Sequence, residues 1–408
     1  MANKLTPVDV YQIVNAAAKQ MYGADTALVA SDTTSFVTVG EAMLRTGYEN
    51  TLNALSYAMG RLYIAVRPYR HRFDLITMDD SLFGTISRKI SYFTKLFEAS
   101  GNWNTDLNTE QLKDGQSIDH YAINKSYPLE MQFQGIKTLE KSLTRWEEQL
   151  DVAFRSEEEM GRFLQGLMTE AANEIEMGIE AENALSVQNF ITGIYETGKA
   201  AQKVNLSKAF NDEYGTQYTT AELLGAHLKE FIPFLTYTIK TYSDNMEANT
   251  DLYHLTPVKN DDAGNPMTLL RHTDKSLQKL FLLKDIIRKS EAMVFPEIFH
   301  DGYLKLENYE GVLYWQNPND PAAIKCKPNT LDVTTGQSKD GTEQEIKTVV
   351  GVLFDRDAIF NSYRLNKVRT TPINARGDYY NIFWHWAKSH NVDYTENAVI
   401  FYMEDVAA

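Results

Sequence analysis

The chain has 408 residues, with 40 Lys and Arg against 55 Asp and Glu, and its formal net charge is −15. This length suggests about two or three domains, or one domain with large excursions. The acidic balance argues against a protein that wraps nucleic acid, because phosphate binding depends on Lys and Arg. A single cysteine, Cys326, excludes an internal disulfide bond. No apolar run approaches the ~20 residues of a membrane span, and the N-terminus does not read as a signal peptide.

The first 60 residues are predicted to be helical. Thr6 and Pro7 suit a helix start, and apolar side chains from Val10 to Met21 then fall on one face. A second segment from Val37 to Ala65 has mostly helical spacing, although three glycines interrupt it.

Residues 61–135 show no long periodic element. Tyr63–Val66 is predicted to be a strand, and Pro128–Phe133 alternates like another. Arg67, Arg70 and Arg72 form a local basic cluster. A long excursion with little core pattern indicates an arm or loop that finds its partners elsewhere.

A long helix is predicted over residues 156–186. Ser156 and Glu159 form a capping box, in which each side chain bonds to the other residue's backbone amide. Apolar residues then recur with a helical period, and the opposite face is acidic, with Glu170 and Glu174 among its glutamates. We interpret this face as solvated; the alternative is a surface that meets a basic neighbour.

Helices are predicted over most of residues 216–296, including the apolar spacing of Leu277, Leu280, Leu283 and Ile287. Strands follow. Val349–Phe354 is a continuous apolar run and is predicted to be a buried strand. Tyr379–Trp386 and Ala398–Tyr402 are predicted to be two aromatic strands.

No motif supports an enzyme. Residues 193–199 match the first seven positions of a P-loop, but a helix precedes them and Ala200 replaces the required hydroxyl residue, so we interpret the match as chance. Asp355 and Asp357 follow a strand without a partner His or Lys, which favours turn and ion-pair roles. We expect no metal and no cofactor, because no His, Cys or Asp pattern has ligand spacing.

The aromatic residues suggest packing. Trp384 and Trp386 share one face of an alternating strand, while His385 takes the other. A stacking platform for a sugar or a base is the alternative. The chain contains 23 Tyr, a residue favoured at protein–protein contacts as well as in aromatic cores.

The C-terminal third resembles tailed-bacteriophage major capsid proteins, most of all those of the small, short-tailed, Bacillus-infecting type. The shared features are an apolar strand ending in Asp, an Asn-x-Arg-Gly turn, a Tyr-Tyr-Asn strand and a last strand opening Asn-Ala-Val. They correspond here to Gly351–Asp357, Thr371–Asn381 and Asn397–Phe401, with a further likeness from Val37 to Leu62.

This resemblance implies an α+β fold of the Hong Kong 97 type. The implied parts are an N-terminal arm (1–60), an extended loop over a neighbouring subunit (61–135), a peripheral domain with a spine helix (136–215), an axial domain (216–362) and a return to the peripheral domain (363–408). The implied function is a shell of pentamers and hexamers around double-stranded DNA, in the virion, assembled in the host cytoplasm with a portal at one vertex. Because no pro-segment is evident before the first helix, a separate scaffolding protein is expected.

We expect inter-subunit contacts at eight residues. The basic cluster is expected to dock on acidic surface of a neighbour, with the spine-helix glutamates as one candidate, and the aromatic strand is expected to supply packing contacts. These residues are Arg67, Arg70, Arg72, Glu170, Glu174, Tyr380, Trp384 and Trp386. Two alternatives stay open: an encapsulin-type compartment of the same fold, and a cytoplasmic hydrolase using Asp355 or Asp357 beside the tryptophans.

Overall fold

A computed structural model describes residues 7–47, 50–51, 54–55, 72–78, 86–93, 121, 125–134, 137–146, 153–262, 264, 266–292 and 309–405. Its α-helices are Pro7–Tyr22 (α1), Thr33–Thr46 (α2), Glu157–Thr197 (α3), Leu206–Tyr214 (α4), Thr220–Leu223 (α5), Leu228–Glu247 (α6) and Lys284–Ala292 (α7).

The strands before residue 315 are Thr77–Met78 (β1), Ile86–Tyr92 (β2), Pro128–Gln134 (β3), Lys137–Trp146 (β4), Lys203–Asn205 (β5), Gln278–Leu283 (β6) and Tyr309–Val312 (β7). Those after it are Ile324–Cys326 (β8), Asn329–Asp332 (β9), Gln337–Asp340 (β10), Gln344–Ile346 (β11), Thr348–Asp355 (β12), Ile359–Thr370 (β13), Tyr379–Val392 (β14) and Ala398–Met403 (β15). The mixed α+β class is therefore confirmed.

The chain divides into two compact units. Unit 1 comprises Met1–Thr85, Gly135–Val187 and Phe360–Asn391, and unit 2 comprises Ile86–Gln134, Gln188–Ile359 and Val392–Ala408. Each unit is thus assembled from three separate stretches of sequence, and α3 contributes residues to both.

Unit 1 is organised on a sheet with strand order β1-β13-β14-β4. β14 runs antiparallel to β4, from Tyr379 opposite Trp146 to Lys388 opposite Lys137. Apolar side chains of α1, α2, α3, β4 and β14 meet in one buried cluster, which includes Val14, Phe36, Met43, Met160, Leu143, Ile382 and Trp384. Burial of these side chains is the main source of stability in this unit.

Unit 2 is organised on a five-stranded sheet with the order β5-β15-β12-β6-β7. At its centre, Val352 of β12 lies opposite Ile400 of β15 on one side and Phe281 of β6 on the other. Every residue of β12 after Thr348 is buried. The continuous apolar run in the sequence is explained by this central position, because both faces of the strand are covered.

Most of the predicted elements are confirmed. The first helix, the strand at 128–133, the buried strand at 349–354 and the two aromatic C-terminal strands are all present as α1, β3, β12, β14 and β15. The two aromatic strands belong to different sheets, and the chain passes from unit 1 to unit 2 at the end of β14, between Asn391 and Val392. The predicted strand Tyr63–Val66 lies outside the described residues.

One predicted helix is wrong over most of its length. The spacing of Leu277, Leu280, Leu283 and Ile287 predicts a helix, yet Gln278–Leu283 forms β6, whose six residues are all buried, and only Ile287 lies in a helix, α7. A short run of buried apolar residues fits either structure, so periodicity does not discriminate between them. Pairing with β12 and β7 decides in favour of the strand.

The long helix is confirmed and is longer than predicted. The Ser156 hydroxyl accepts a hydrogen bond from the Glu159 amide at 3.2 Å, as a capping box requires. α3 then runs for 41 residues to Thr197, about 60 Å. Its last turns are buried on nearly all sides, so the one-sided apolar period used to predict the helix does not extend through them.

The five predicted sub-domains remain a prediction. The boundaries of the two units do not coincide with them, since the stretch 363–408 and the long helix are both shared between the units.

Candidate assembly surface

The acidic face of α3 meets basic side chains of the same chain in unit 1. Glu180 forms a short ion pair with the guanidinium group of Arg72. Glu174 pairs with Lys141 of β4, and Glu182 pairs with Lys388 of β14. The alternative interpretation, that the acidic face of α3 meets basic side chains, therefore holds within a single chain, because several of the glutamates on this face pair with Lys or Arg of the same chain.

Arg72 and Glu180 form a largely buried pair. Their side chains are only 16% and 14% exposed, and the Arg72 guanidinium carbon lies 5.9 Å from the centroid of the Phe73 ring. Removal of one partner is expected to destabilise the fold, since it leaves the other charge in a poorly solvated position. Its use between subunits stays a prediction, and Arg67 and Arg70 lie outside the described residues.

Tyr380 and Trp384 lie in the core of unit 1. They are 2% and 5% exposed and belong to the same apolar cluster as Phe36 and Met43. Packing, one of the two roles weighed for Trp384, is therefore its role within the chain. Glu170 and Trp386 belong to α3 and β14, and their side chains fall outside the described part of the structure.

Four exposed apolar side chains were missed by the sequence analysis. Met177 and Leu185 of α3 are 66% and 54% exposed, and Ile90 and Tyr92 of β2 are each 61% exposed. Residues 177 and 185 are about two helical turns apart and so share a face. The available signal was an apolar residue on the polar side of an amphipathic helix or strand, which is weak, because single exposed apolar residues are common on protein surfaces.

Asp355 serves a turn and a buried polar network. One carboxylate oxygen accepts the Asp357 amide at 2.8 Å, and the other accepts the Thr273 hydroxyl at 2.8 Å. Burial raises the pKa of the Asp355 carboxyl group. The turn role predicted for Asp355 is confirmed, and Asp357 forms an ion pair with Arg356 at 3.3 Å.

The network continues from Thr273 to His254. The Asn397 amide donates to the Thr273 hydroxyl at 3.2 Å, and its oxygen lies 3.1 Å from Nδ1 of His254. His254 Nε2 lies 2.9 Å from the Leu269 carbonyl oxygen, and the imidazole is fully buried. The chain of contacts connects elements of the unit 2 core and leaves the imidazole ring inaccessible to a substrate.

The P-loop-like sequence is the end of α3. Residues 193–197 are helical, and the Gly198 amide donates to the Ile194 carbonyl at 2.7 Å. The Lys199 ammonium group donates to the backbone oxygen and to a carboxylate oxygen of Asp251. A phosphate-binding loop needs free amides in a turn between strand and helix, so the chance match is explained.

Among the residues that the structure describes, no group of three or more His, Cys, Asp or Glu has the geometry to hold a metal ion. In the same part of the chain, no helix combines the length and the apolar character needed to cross a membrane.

No curated relative matches the chain in sequence. Several solved structures are similar to it. The capsid structure of Staphylococcus phage Andhra is 9% identical, with coverage of 82% of this chain and 84% of that chain and a TM-score of 0.49. The capsid structure of cyanophage P-SCSP1u is 10% identical, with coverage of 82% of this chain and 88% of that chain and a TM-score of 0.40. The structure of Mycobacterium phage Adephagia is 12% identical, with coverage of 85% of this chain and 94% of that chain and a TM-score of 0.37.

The family comparison covers nearly the whole chain. The model of the Phi29-like phage major capsid proteins matches residues 14–402. This family is one of structural shell proteins and is not an enzyme class, which agrees with the turn and core roles of the acidic and aromatic residues described above. The chain therefore belongs to the Phi29-like phage major capsid protein family, and its place is in the capsid of a virion.

Proposed function

We propose that the chain assembles as pentamers and hexamers into an icosahedral shell that encloses double-stranded DNA. The family match over residues 14–402 is the observation that carries this proposal. The net charge of −15 supports it, because an acidic protein does not hold the enclosed DNA tightly.

The same proposal gives the chain a Hong Kong 97-type arrangement of parts. In it, residues 1–60 form the N-terminal arm, 61–135 the extended loop, 216–362 the axial domain, and 136–215 with 363–408 the peripheral domain. The shared sheet of β4 and β14 supports the last assignment, since it joins the segment before the long helix to the C-terminal return.

A separate scaffolding protein, a portal at one vertex and assembly in the host cytoplasm complete the proposal. The likeness to short-tailed, Bacillus-infecting phages is its most specific part. It rests on the order of the C-terminal motifs from Gly351 to Phe401.

The test is assembly of the purified chain, expressed alone and with a candidate scaffolding protein. Negative-stain microscopy and light scattering should show uniform shells, or pentamers and hexamers, in at least one condition. A small, stable oligomer in both conditions would contradict the proposal.

The contact surface is tested by charge reversal. Because Arg72 already pairs with Glu180 in its own chain, the variant to make is R67E/R70E, with Arg72 unchanged. We expect it to fold normally and to fail in assembly. Shells of normal size and yield from this variant would remove the basic cluster from the inter-subunit contacts. The matched control is K229M, a change at an exposed position of α6, which should leave assembly unchanged.

A further inference from the structure

The hairpin formed by β2 and β3 is attached to the rest of unit 2 by side chains. The two strands pair with each other from Ile86 opposite Gln134 to Tyr92 opposite Pro128. Within the described residues, neither strand has a backbone ladder to a third strand. An isolated two-stranded hairpin is marginally stable in water, so its order depends on what it packs against.

A balanced group of charges lies under the hairpin. The Lys89 ammonium group lies 2.7 Å from Asp393 Oδ2 and is in direct contact with the Glu396 carboxylate. Arg271 lies 3.3 Å from Glu396 and donates a hydrogen bond of 2.8 Å to the Ser91 hydroxyl. We call Lys89, Arg271, Asp393 and Glu396 the Lys89 cluster; it has two positive and two negative groups.

The acidic half of the cluster is held in place without the hairpin. Asp393 Oδ1 accepts the amide of Thr395 at 2.8 Å and its hydroxyl at 2.7 Å. Arg271 Nε donates to the Thr395 carbonyl oxygen at 3.2 Å. The site that receives Lys89 is therefore preformed on the body of unit 2. Leu129 and Met131, which lie opposite Ser91 and Lys89 on β3, are only half-buried.

Ionic contacts of this kind are easier to undo than apolar ones. The attraction within a buried ion group is largely offset by the lost hydration of its members, which water restores when the group separates as a whole. The side chains of Asp393 and Glu396 are 0% and 8% exposed. Burial raises the pKa of Glu396 despite the opposing effects of Lys89 and Arg271, so its ionised form would gain from re-exposure to water. Burial by itself would lower the pKa of Lys89, but Asp393 and Glu396 together outweigh this effect and raise that pKa, so the charge of Lys89 favours the docked state.

We propose that the Lys89 cluster is a reversible dock that holds the β2–β3 hairpin against its own chain before assembly and competes with the use of this segment between subunits. Release exposes the inner face of the hairpin to a second copy of the chain, in addition to Ile90 and Tyr92 on its outer face. The inference rests on the proposed function, because it assigns the regulation of the extended loop.

The test is hydrogen exchange on the unassembled full-length chain. K89M removes the charge that fills the preformed site, and we expect amides of residues 86–92 and 128–134 to exchange at least about tenfold faster, while those of β12 are unchanged. R88M is the matched control, because Arg88 lies on the same strand with its side chain 64% exposed and pairs only loosely with Glu130, at 3.6 Å. The R88M variant should leave exchange unchanged.

E396Q is a second test that does not depend on the folding of K89M. It keeps the shape of the side chain but removes one negative charge, so residues 86–92 and 128–134 should exchange at a rate between those of wild type and K89M.

Assembly supplies the second readout. K89M should form shells at a several-fold lower protein concentration than wild type or R88M. If K89M and E396Q exchanged no faster than R88M, the proposal that the Lys89 cluster holds the hairpin would be wrong. If they exchanged faster but assembled no better than wild type, the proposal that docking competes with assembly would be wrong. If the wild-type chain formed no shells, the proposed function would fail, whereas the exchange comparison would still test the dock.

Discussion

The hydroxyl group of Tyr394 occupies the space that a side chain at Gly193 would need. It donates to the Asn329 carbonyl oxygen at 2.8 Å and accepts from the Asn189 amide at 3.3 Å. The Tyr394 ring stacks on Phe190, with 5.5 Å between centroids, and is 6% exposed. The glycine in the P-loop-like sequence is thus explained by close packing of helix α3 against the loop before β15.

We therefore expect G193A to destabilise the chain by about 1–3 kcal/mol, because the added methyl group overlaps the Tyr394 hydroxyl and forces it from its hydrogen bonds. The control is G178A in the same helix, where nothing lies within 4 Å of the added carbon. This change should stabilise the chain by up to about 1 kcal/mol through helix propensity. Urea unfolding of the unassembled subunit measures both, and equal effects of the two variants would contradict the explanation.

The Arg72–Glu180 pair is expected to act within the fold. R72M should cost about 1.5–3 kcal/mol of unfolding free energy, since Glu180 loses a charge-assisted hydrogen bond while largely buried. The double variant R72M/E180Q should be less destabilised than the sum of the single changes, with a coupling energy of about 1–3 kcal/mol. Strict additivity in the denaturation series would show that the two side chains do not interact.

His254 should make stability depend on pH in the acidic range. Burial lowers its pKa below the ordinary 6.5, and the positive charges of Lys199 and Arg271 lower it further. As pH falls through 6.5, the unfolded chain takes up a proton that the folded chain resists, so stability is full above this pH and is lost below it.

The variant H254Q should be less stable near neutral pH, because it disturbs buried hydrogen bonds to Asn397 and Leu269. Its unfolding free energy should nevertheless fall less steeply than that of the wild type between about pH 6.5 and pH 5. Parallel curves for the two proteins would mean that another group causes the acid destabilisation.

Lys279 should have a measurable effect at alkaline pH. Burial lowers its pKa from 10.5 to about 8, with a contribution from Arg356, while Asp357 and Asp355 oppose the shift. Between these two values the unfolded chain binds more protons than the folded chain, so stability rises with pH across that window.

The variant K279M should remove this rise and should be more stable than wild type at pH 7, by at most about 3 kcal/mol. Urea unfolding at several pH values measures both effects. A wild-type curve that is flat from about pH 8 to pH 10.5 would contradict the shifted pKa.

Local sequence predicted many elements and missed those that depend on distant partners. The start of α3 follows from Ser156 and Glu159, because a capping box is a short-range arrangement. The segment of β6 was wrongly predicted to be helical, because a short apolar run forms a strand only when a neighbouring strand such as β12 is available for backbone hydrogen bonding. Arg72 was one candidate partner for the α3 glutamates. That it pairs with Glu180 of its own chain, and that Lys388 pairs with Glu182, was not predictable, because these residues are distant in sequence.

The candidate assembly surface was also predictable only in part from the sequence. The charges of the basic cluster and of α3 were evident from composition, but whether a neighbour or the chain itself neutralises them depends on which segments unit 1 brings together. Tyr380 and Trp384 illustrate this point, since an alternating aromatic strand has two faces and only the packing of α1 and α2 decided which face is buried.

The sequence by itself determined the starts of α1 and α3, the buried central strand, the absence of an internal disulfide bond and the capsid resemblance of the C-terminal third. Each of these depends on residues close together in the chain or on composition. Only the tertiary structure decided that Lys89 is placed between Asp393 and Glu396, and that Gly193 makes room for Tyr394. These contacts join residues far apart in sequence, and their energies arise from burial and desolvation, which no local pattern specifies.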